Sequence, residues 1–258
     1  MGDGIAGTAV FVFPRTVGFW GAGHGRGAVD IQLSAVVICQ DNERTIGTVL
    51  DSLVPFCDEV VVLDGGSEDA TVAVARSREK VQLFQREFDS FPTQRNYGCD
   101  RARGRWILAL DSDELIAPSG LRKLRWLTHV PGFRWYSLPR YWIVERNRRF
   151  YYLSDRPYYR DRQLRLFRNE PDFRYDEVRT PVHEEFREKR GWGRPLRGPH
   201  IFHYALLLHD RAARERKYRR YMAINPDLER IHRQQLWEDH EIPLEPVPVP
   251  LPGMLHEG

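Results

Sequence analysis

An α/β fold, built on a mostly parallel sheet flanked by helices, is predicted by three observations. Short, apolar, β-favouring runs recur at residues 33–39, 59–64, 81–84 and 105–110. Segments of helical period separate them, and the resulting βαβαβαβ rhythm implies parallel strands joined by right-handed crossovers. The last run, Arg105-Trp106-Ile107-Leu108-Ala109-Leu110, is entered from Gly104 and stops abruptly at Asp111-Ser112-Asp113-Glu114. It reads as a buried strand that delivers carboxylates to the carboxyl edge of the sheet, where open α/β sheets bind ligands.

The elements follow in order. Residues 1–31 are glycine-rich, with Gly21, Gly23, Gly25 and Gly27 closely spaced, but no strand and helix flank them in phosphate-loop order. They are read as a flexible leader or an edge hairpin. After the first strand, Ile46, Val49, Leu50, Leu53 and Val54 share a helical face, with Asn42 as an expected N-cap. The second strand ends at Asp64, and Gly65-Gly66-Ser67-Glu68-Asp69 leads into a helix over 70–78. Ser67 is its expected N-cap, with Glu68 and Asp69 against the positive end of the dipole. Residues 92–103 form a third helix before the acid-ended strand.

At 258 residues the chain can bury a sizeable core. The expected division is a leader over 1–31, a ligand-binding half over 32–130, a second half of the same domain over 131–223, and a C-terminal helix with a proline-rich tail over 224–258. A composition of 41% hydrophobic and 29% charged residues excludes wholesale disorder. The net charge of +3 is too small to argue for nucleic acid, although arginine is crowded between Arg134 and Arg220. Cys39, Cys57 and Cys99 form neither a disulfide framework nor a zinc pattern, which fits a reducing compartment. No apolar run approaches the roughly 20 residues of a membrane span. Val10 to Phe13 makes a poor signal peptide, being short and broken by Pro14. A cytoplasmic protein is expected.

In such a sheet the strand ends at 40–43, 64–69 and 111–114 converge on one rim. Asp111 and Asp113 can share one hard cation that also holds phosphate oxygens, which suits Mg²⁺ or Mn²⁺. Asn42 and Ser67 either cap helices or touch a ligand, and Asp69 either opposes a dipole or does the same. Asp64 followed by two glycines lets a planar ring approach the backbone. Arg95 is either a surface helix arginine or a fork for a diphosphate.

The ordered motifs, 33–43, Asp64-Gly65-Gly66-Ser67-Glu68-Asp69-Ala70-Thr71, Gln94-Arg95-Asn96-Tyr97-Gly98 and Asp111-Ser112-Asp113-Glu114, resemble the GT-A glycosyltransferases of family 2. Within these, they look most like the branch with lipopolysaccharide-core β-glucosyltransferases, over about 33–118. The resemblance implies that Asp64 reads the donor base, usually uracil, and that Asp111 and Asp113 hold ribose and metal. It places Arg95 beside the donor and adds Gln40, Asn42, Glu43, Ser67 and Ser112 to the donor-binding set. Gly65 stands where the family usually has Ser or Asp, which loosens the turn.

From Phe133 onward aromatics mix with arginine, as in Arg140-Tyr141-Trp142 and Arg148-Arg149-Phe150-Tyr151-Tyr152. Such a mixture stacks on sugars, binds single strands of nucleic acid, or forms an ordinary hairpin with snorkelling arginines. Residues 163–168 alternate as an amphipathic strand. In Thr180-Pro181-Val182-His183-Glu184-Glu185, a lone histidine is ordinarily structural, but the resemblance implies that His183 completes the metal's coordination. Glu184 is the candidate general base. His203 is a competing ligand or a packing group. Residues 206–223 read as one basic helix, suited to a solvated face or to docking on an anionic membrane surface, and 243–252 as an extended strap.

The expectation is a metal-dependent, inverting, hexosyltransferase-type enzyme using a nucleotide sugar, with UDP as the expected nucleotide. Its acceptor is a glycan, a glycolipid or another hydroxyl, reached from the cytoplasm or the inner membrane face. A nucleotidyltransferase acting on a sugar phosphate and a binding module for nucleic acid or an anionic polymer are the alternatives. The near-neutral charge speaks against the last.

Overall fold

The computed structural model describes residues 30–156, 158–159, 161–176, 186, 191–224, 226, 229–248 and 251. The glycine-rich stretch up to residue 29 lies outside them. Four parallel strands come first: β1 (Leu33–Cys39), β2 (Glu59–Asp64), β3 (Val81–Gln85) and β4 (Trp106–Asp111). They lie side by side in the order β4-β1-β2-β3. Every residue of β1 and β2 is buried, which is why both read as continuous apolar runs rather than as alternations.

Helices cover the two faces. Ala35 and Val37 share a core with Ile46, Val49, Leu50 and Leu53 of α1 (Ile46–Leu53), while Val36 and Ile38 face Cys99 of α3 (Phe91–Arg101). Burying each large apolar side chain of α1 contributes about 1.5–3 kcal/mol. The intervening α2 (Thr71–Arg76) is shorter at both ends than its sequence pattern implies.

Two expected caps are absent. The N-cap of α1 is Thr45 and that of α2 is Ala70, neither with a side-chain cap bond. Asn42 contributes only its backbone carbonyl, which accepts from Thr45 and Ile46, and Ser67 stands four residues before α2. Their side chains serve the loops described below. At α3 the cap is real, since Ser90 accepts from the Thr93 amide at 3.3 Å and Pro92 occupies the first turn.

Beyond β4 the sheet continues with antiparallel pairing. After β5 (Glu114–Ile116) and α4 (Pro118–Leu127) come β6 (Trp135–Arg146), β7 (Arg149–Leu153) and β8 (Asp161–Arg168). β8 lies between β4 and β6, antiparallel to both. Asn147 and Arg148, at φ 53° and 58°, make the tight β6–β7 turn. β9 (Gly193–Pro195) and β10 (Ile201–His203) run beside β6, and β10 also pairs with β5. The aromatic and arginine-rich stretch is therefore largely core: Tyr136, Tyr141, Trp142, Tyr152 and Tyr158 are buried, leaving little of it as an open stacking platform.

The expected single basic helix is broken. A short α5 (Ala205–Leu208) precedes α6 (Arg211–Ile224), and between them Asp210 caps the second by accepting from Ala213 N at 2.7 Å. Then follow α7 (Glu229–His232), a 3₁₀ segment (Arg233–Asp239) and β11 (Leu244–Pro246). The expected strap is in part this strand, paired antiparallel with β7. Contacts group Ile31–Gly258 into one unit. Among the described residues no helix is long and apolar enough to cross a membrane.

Helix α3 approaches the sheet closely at Gly98, where an added Cβ would lie 2.6 Å from Val36 Cγ1 and 2.8 Å from Leu63 Cδ2. Gly98→Ala should therefore destabilise the protein by about 1–3 kcal/mol, because overpacking two buried strand residues outweighs the helix-propensity gain. Urea unfolding of the variant measures this, and a more stable variant would contradict the close packing.

Candidate active site at the carboxyl ends of the strands

The pairings Cys39 with Asp64 and Ile38 with Asp111 bring the ends of β1, β2 and β4 side by side. The first two loops are laced together. Asp41 Oδ1 accepts from Glu68 N at 2.9 Å, Ser67 Oγ from Asp41 N at 2.9 Å, Glu43 Oε2 from Ala70 N at 3.0 Å and Asp69 Oδ2 from Glu43 N at 3.1 Å. Asn42 joins this lacing to the third loop: its Oδ1 accepts from Ser112 Oγ at 2.7 Å and from Gln40 N at 2.9 Å. Gln40, Asn42, Glu43, Ser67 and Ser112 are thus brought together, several with their polar atoms already engaged.

Asp64 is fully buried. Its Oδ2 accepts from the Gly66 and Ser67 amides at 3.2 and 3.1 Å, and the Ser67 hydroxyl donates to Oδ1. The carboxylate thereby ties down the turn that two glycines would otherwise leave loose. Gly66, at φ 98°, has no atom within 4 Å of where a side chain would begin, so a planar ring can reach the backbone there.

Asp111 lies at the start of a buried chain of alternating charge. Arg95 of α3, 2% exposed, donates to its Oδ1, and Arg165 of β8, 3% exposed, donates to its Oδ2 at 2.9 Å. The same Arg165 nitrogen reaches Glu114 Oε1 at 3.0 Å, and Arg140 of β6 reaches that oxygen at 3.1 Å. Arg140 then forks onto Asp161 at 2.9 and 2.7 Å, with Trp142 Nε1 donating to the same carboxylate at 3.3 Å. Burial would raise the Asp111 carboxyl, but Arg165 and Arg95 outweigh it and hold it well below the usual carboxylate range. Glu114 is completely buried at the centre of this network, its Oε2 accepting from Asp111 N at 3.2 Å. Arg95 is correspondingly turned onto a carboxylate.

Asp113 stands apart from that network and is about 20% exposed. Its partner is His203, whose Nε2 lies 3.3 Å from Oδ1. β10 fixes the imidazole, pairing His203 with Glu114 of β5 and Trp142 of β6. The Trp142 ring meets it edge-on at 4.2 Å between centroids. Burial opposes ionisation of Asp113, but His203 prevails and keeps its carboxyl below the ordinary value. His203 Nδ1 is buried, with no hydrogen-bond partner among the described residues.

His183 and Glu184, the expected third ligand and base, lie outside the described residues. Their described flanks are held nearby. Asn96, beside Arg95 on α3, clamps the Tyr175 backbone with its Nδ2 on the carbonyl at 3.0 Å and its Oδ1 on the amide at 2.8 Å. Tyr175 in turn bridges to Phe186.

Sequence reasoning missed Arg165, Arg140 and Asp161 as parts of the site. The alternation over 163–168 signals a strand with one solvated face, and Arg162 is exposed, but Arg165 is buried against Asp111 and Glu114. Among the described residues no group of three or more His, Cys, Asp or Glu is arranged to hold a metal.

Comparison with known proteins bears on this geometry. The profile of the family described as Glycosyl transferase family 2 matches residues 34–177. A TPR repeat-containing protein of Synechococcus elongatus is 33% identical over 158 residues, covering 61% of this chain and 36% of the relative. The lipopolysaccharide core biosynthesis glycosyltransferase LpsC of Rhizobium meliloti is 28% identical over 98 residues, 36% of each. The chain thus spans about a third of the length of these curated relatives. Among solved structures, glucosyl-3-phosphoglycerate synthase from Mycobacterium tuberculosis, in complex with Mn²⁺, UDP and glucosyl-3-phosphoglycerate, aligns over 43% of this chain and 44% of its own at 23% identity and a TM-score of 0.38.

The buried network makes a testable demand on stability. Glu114→Ala leaves Arg140 and Arg165 without their shared carboxylate, and should cost about 3–5 kcal/mol in denaturant unfolding. A loss under about 1 kcal/mol would show that the charges rearrange without Glu114.

Proposed function

The chain belongs to glycosyl transferase family 2, and from that membership we propose that it moves a hexosyl group from a UDP-sugar to a hydroxyl of a glycan or glycolipid, with inversion. The mixed α/β fold with its mostly parallel sheet is the one expected of a GT-A enzyme. The observation that carries the catalytic reading is the Asp113–His203 pair at the rim. Two donors at right angles on a six-coordinate Mg²⁺ or Mn²⁺, each about 2.1 Å from it, stand about 3 Å apart. The 3.3 Å between Asp113 Oδ1 and His203 Nε2 fits that demand. Among the described residues Asp113 and His203 would hold the ion, a carboxylate and an imidazole suited to Mg²⁺ or Mn²⁺. When bound, such an ion supplies Lewis-acid charge against the departing diphosphate.

The remaining roles fall to the chain's own groups. Asp111, held by Arg95 and Arg165, presents a fixed acceptor to a ribose hydroxyl. The turn stabilised by Asp64 offers backbone at Gly66 to the base. Glu184 is assigned as general base: the acceptor oxygen bonds to the anomeric carbon as the bond to the diphosphate breaks, and the acceptor's proton passes to the carboxylate. His183 is assigned as a further ligand from the same segment. A glycolipid acceptor would bring a cytoplasmic enzyme to an anionic inner membrane face.

Thermal unfolding with nucleotides tests the reading. UDP with Mn²⁺ at 100 times its Kd should stabilise the wild type by about 2.7 kcal/mol. Chelation should remove most of that, and Asp113→Ala should be insensitive to the metal. Indifference to every nucleotide would sink the donor assignment, and release of pyrophosphate on turnover would point to a nucleotidyltransferase.

A further inference from the structure

Strand β6 outruns the sheet. Its last partner on β8 is Asp161, opposite Arg140, and its last on β10 is His203, opposite Trp142. From Ile143 to Arg146 its partner is β7, so the two strands leave the sheet as a ribbon, with β11 along the other edge of β7. Because β8 is antiparallel to both β4 and β6, strand β6 runs the way β4 does and the ribbon leaves on the side of the rim. The stretch from Trp142 to Asn147 carries the turn about 15 Å beyond the level of His203.

The tip of this ribbon breaks two local rules. Residues 145–150 read Glu-Arg-Asn-Arg-Arg-Phe, and all of them are exposed. Arg146 and Arg149 stand directly opposite each other, on one face of the ribbon, where like charges repel. Arg148 holds the second turn position at φ 58°, a conformation in which glycine is the unstrained residue. Neither cost is offset within the fold. Glu145 stands opposite Phe150, and among the described residues the side chains of Arg146, Arg148 and Arg149 form no ion pair. Local costs left uncompensated inside a fold point to a partner outside it.

The arginines of α6 make the contrast. Arg211 pairs with Glu215 at 3.0 Å and Asp239 at 2.5 Å, the buried Arg214 forks onto Glu238 at 2.9 and 2.5 Å, and Arg219 lies 3.7 Å from Glu215. Those charges pin the helix to the 3₁₀ segment and to itself, so the basic run that suits a membrane surface in the sequence is largely spent internally.

We infer that the β6–β7 tip is a membrane-docking finger: Arg146, Arg148 and Arg149 take the phosphates of anionic lipid headgroups, and Phe150 enters the headgroup layer beside them. Guanidiniums match phosphate oxygens by paired hydrogen bonds, and phosphates between Arg146 and Arg149 turn their repulsion into shared attraction. Aromatic rings settle at headgroup depth. A single strand of nucleic acid calls for a basic groove with successive stacking rings, whereas this is a convex turn with one. The finger's use rests on the glycolipid arm of the proposed function, which it sharpens: a finger beside the rim sets lipid-linked acceptor hydroxyls within reach of the site.

Cosedimentation with vesicles tests this on the full chain. The wild type should bind vesicles of equimolar phosphatidylcholine and phosphatidylglycerol, ignore phosphatidylcholine alone, and be released by salt. Arg148→Gly removes one charge and the backbone strain together, so it should melt no lower than wild type while binding about fivefold more weakly. Replacing all three arginines by glutamine should weaken binding roughly a hundredfold, and Phe150→Ala should weaken it without changing its salt dependence. Wild-type vesicle binding in the triple variant, or equal binding of the wild type to neutral vesicles, would overturn the inference. So would tighter binding to a single-stranded oligonucleotide that the same substitutions abolish. A wild type that UDP with Mn²⁺ stabilises but that ignores anionic vesicles would overturn the finger and keep the donor reading. Vesicle binding that needs the tip, in a protein that UDP with Mn²⁺ does not stabilise, would uphold the finger and sink the donor reading.

Discussion

The structure depends on the buried ion network that bolts β4 to β8 and β6. The β4–β8 ladder is short: it pairs Trp106, Ile107 and Leu108 with Arg168, Phe167 and Leu166 and then stops. Beyond it the two strands no longer share backbone bonds, and at that point the Arg165 side chain reaches Asp111 and Glu114. Alternating guanidinium and carboxylate groups therefore continue the junction where the peptide ladder ends. A buried ion pair is weak evidence for stability in general, because desolvation offsets the attraction. Here it has a geometric office: it fixes the acidic end of β4 against the antiparallel half, with each charge matched.

That matching decides how the rim can be used. Asp111 has both oxygens on guanidiniums and a fixed direction, so it is suited to orienting a neutral group such as a hydroxyl. Asp113 lies two residues on, past the network, and faces a histidine delivered by β10. One strand end thus presents two carboxylates in different electrostatic settings, the first neutralised by two guanidiniums, the second paired with a single imidazole.

The fold was legible because β1, β2 and β4 are buried on both faces, which writes uninterrupted apolar runs into the sequence, and because α1 carries a clean apolar stripe. The convergence of Asp64 and Asp111 followed from the parallel order alone. What stayed hidden depended on pairing partners far along the chain. β8 looks like a strand with a wet face, and Arg162 is indeed exposed, yet Arg165 is buried against carboxylates supplied by Asp111 and Glu114, far back along the chain. Glu114 looks like the polar end of a motif, yet β5 and β10 close over it. Asn42 and Ser67 have the composition of caps, but their side-chain oxygens are used by neighbouring loops, an arrangement that local spacing does not encode.

An acid-rich rim invites the inference that its carboxylates jointly bind cations, and the contacts here divide that rim into three kinds. Asp41, Glu43 and Asp69 accept backbone amides of the neighbouring loop and so supply the hydrogen bonds that hold 40–43 to 65–70. Asp111 and Glu114 are neutralised by arginine. Asp113 is paired with an imidazole that is itself a good metal ligand when neutral. Of the acids that draw attention in the sequence, most are needed to hold the loops in the shape that leaves this last one available. The number of carboxylates at a strand edge is thus a poor measure of metal affinity, whereas the count of amides and guanidiniums already facing them is a direct one.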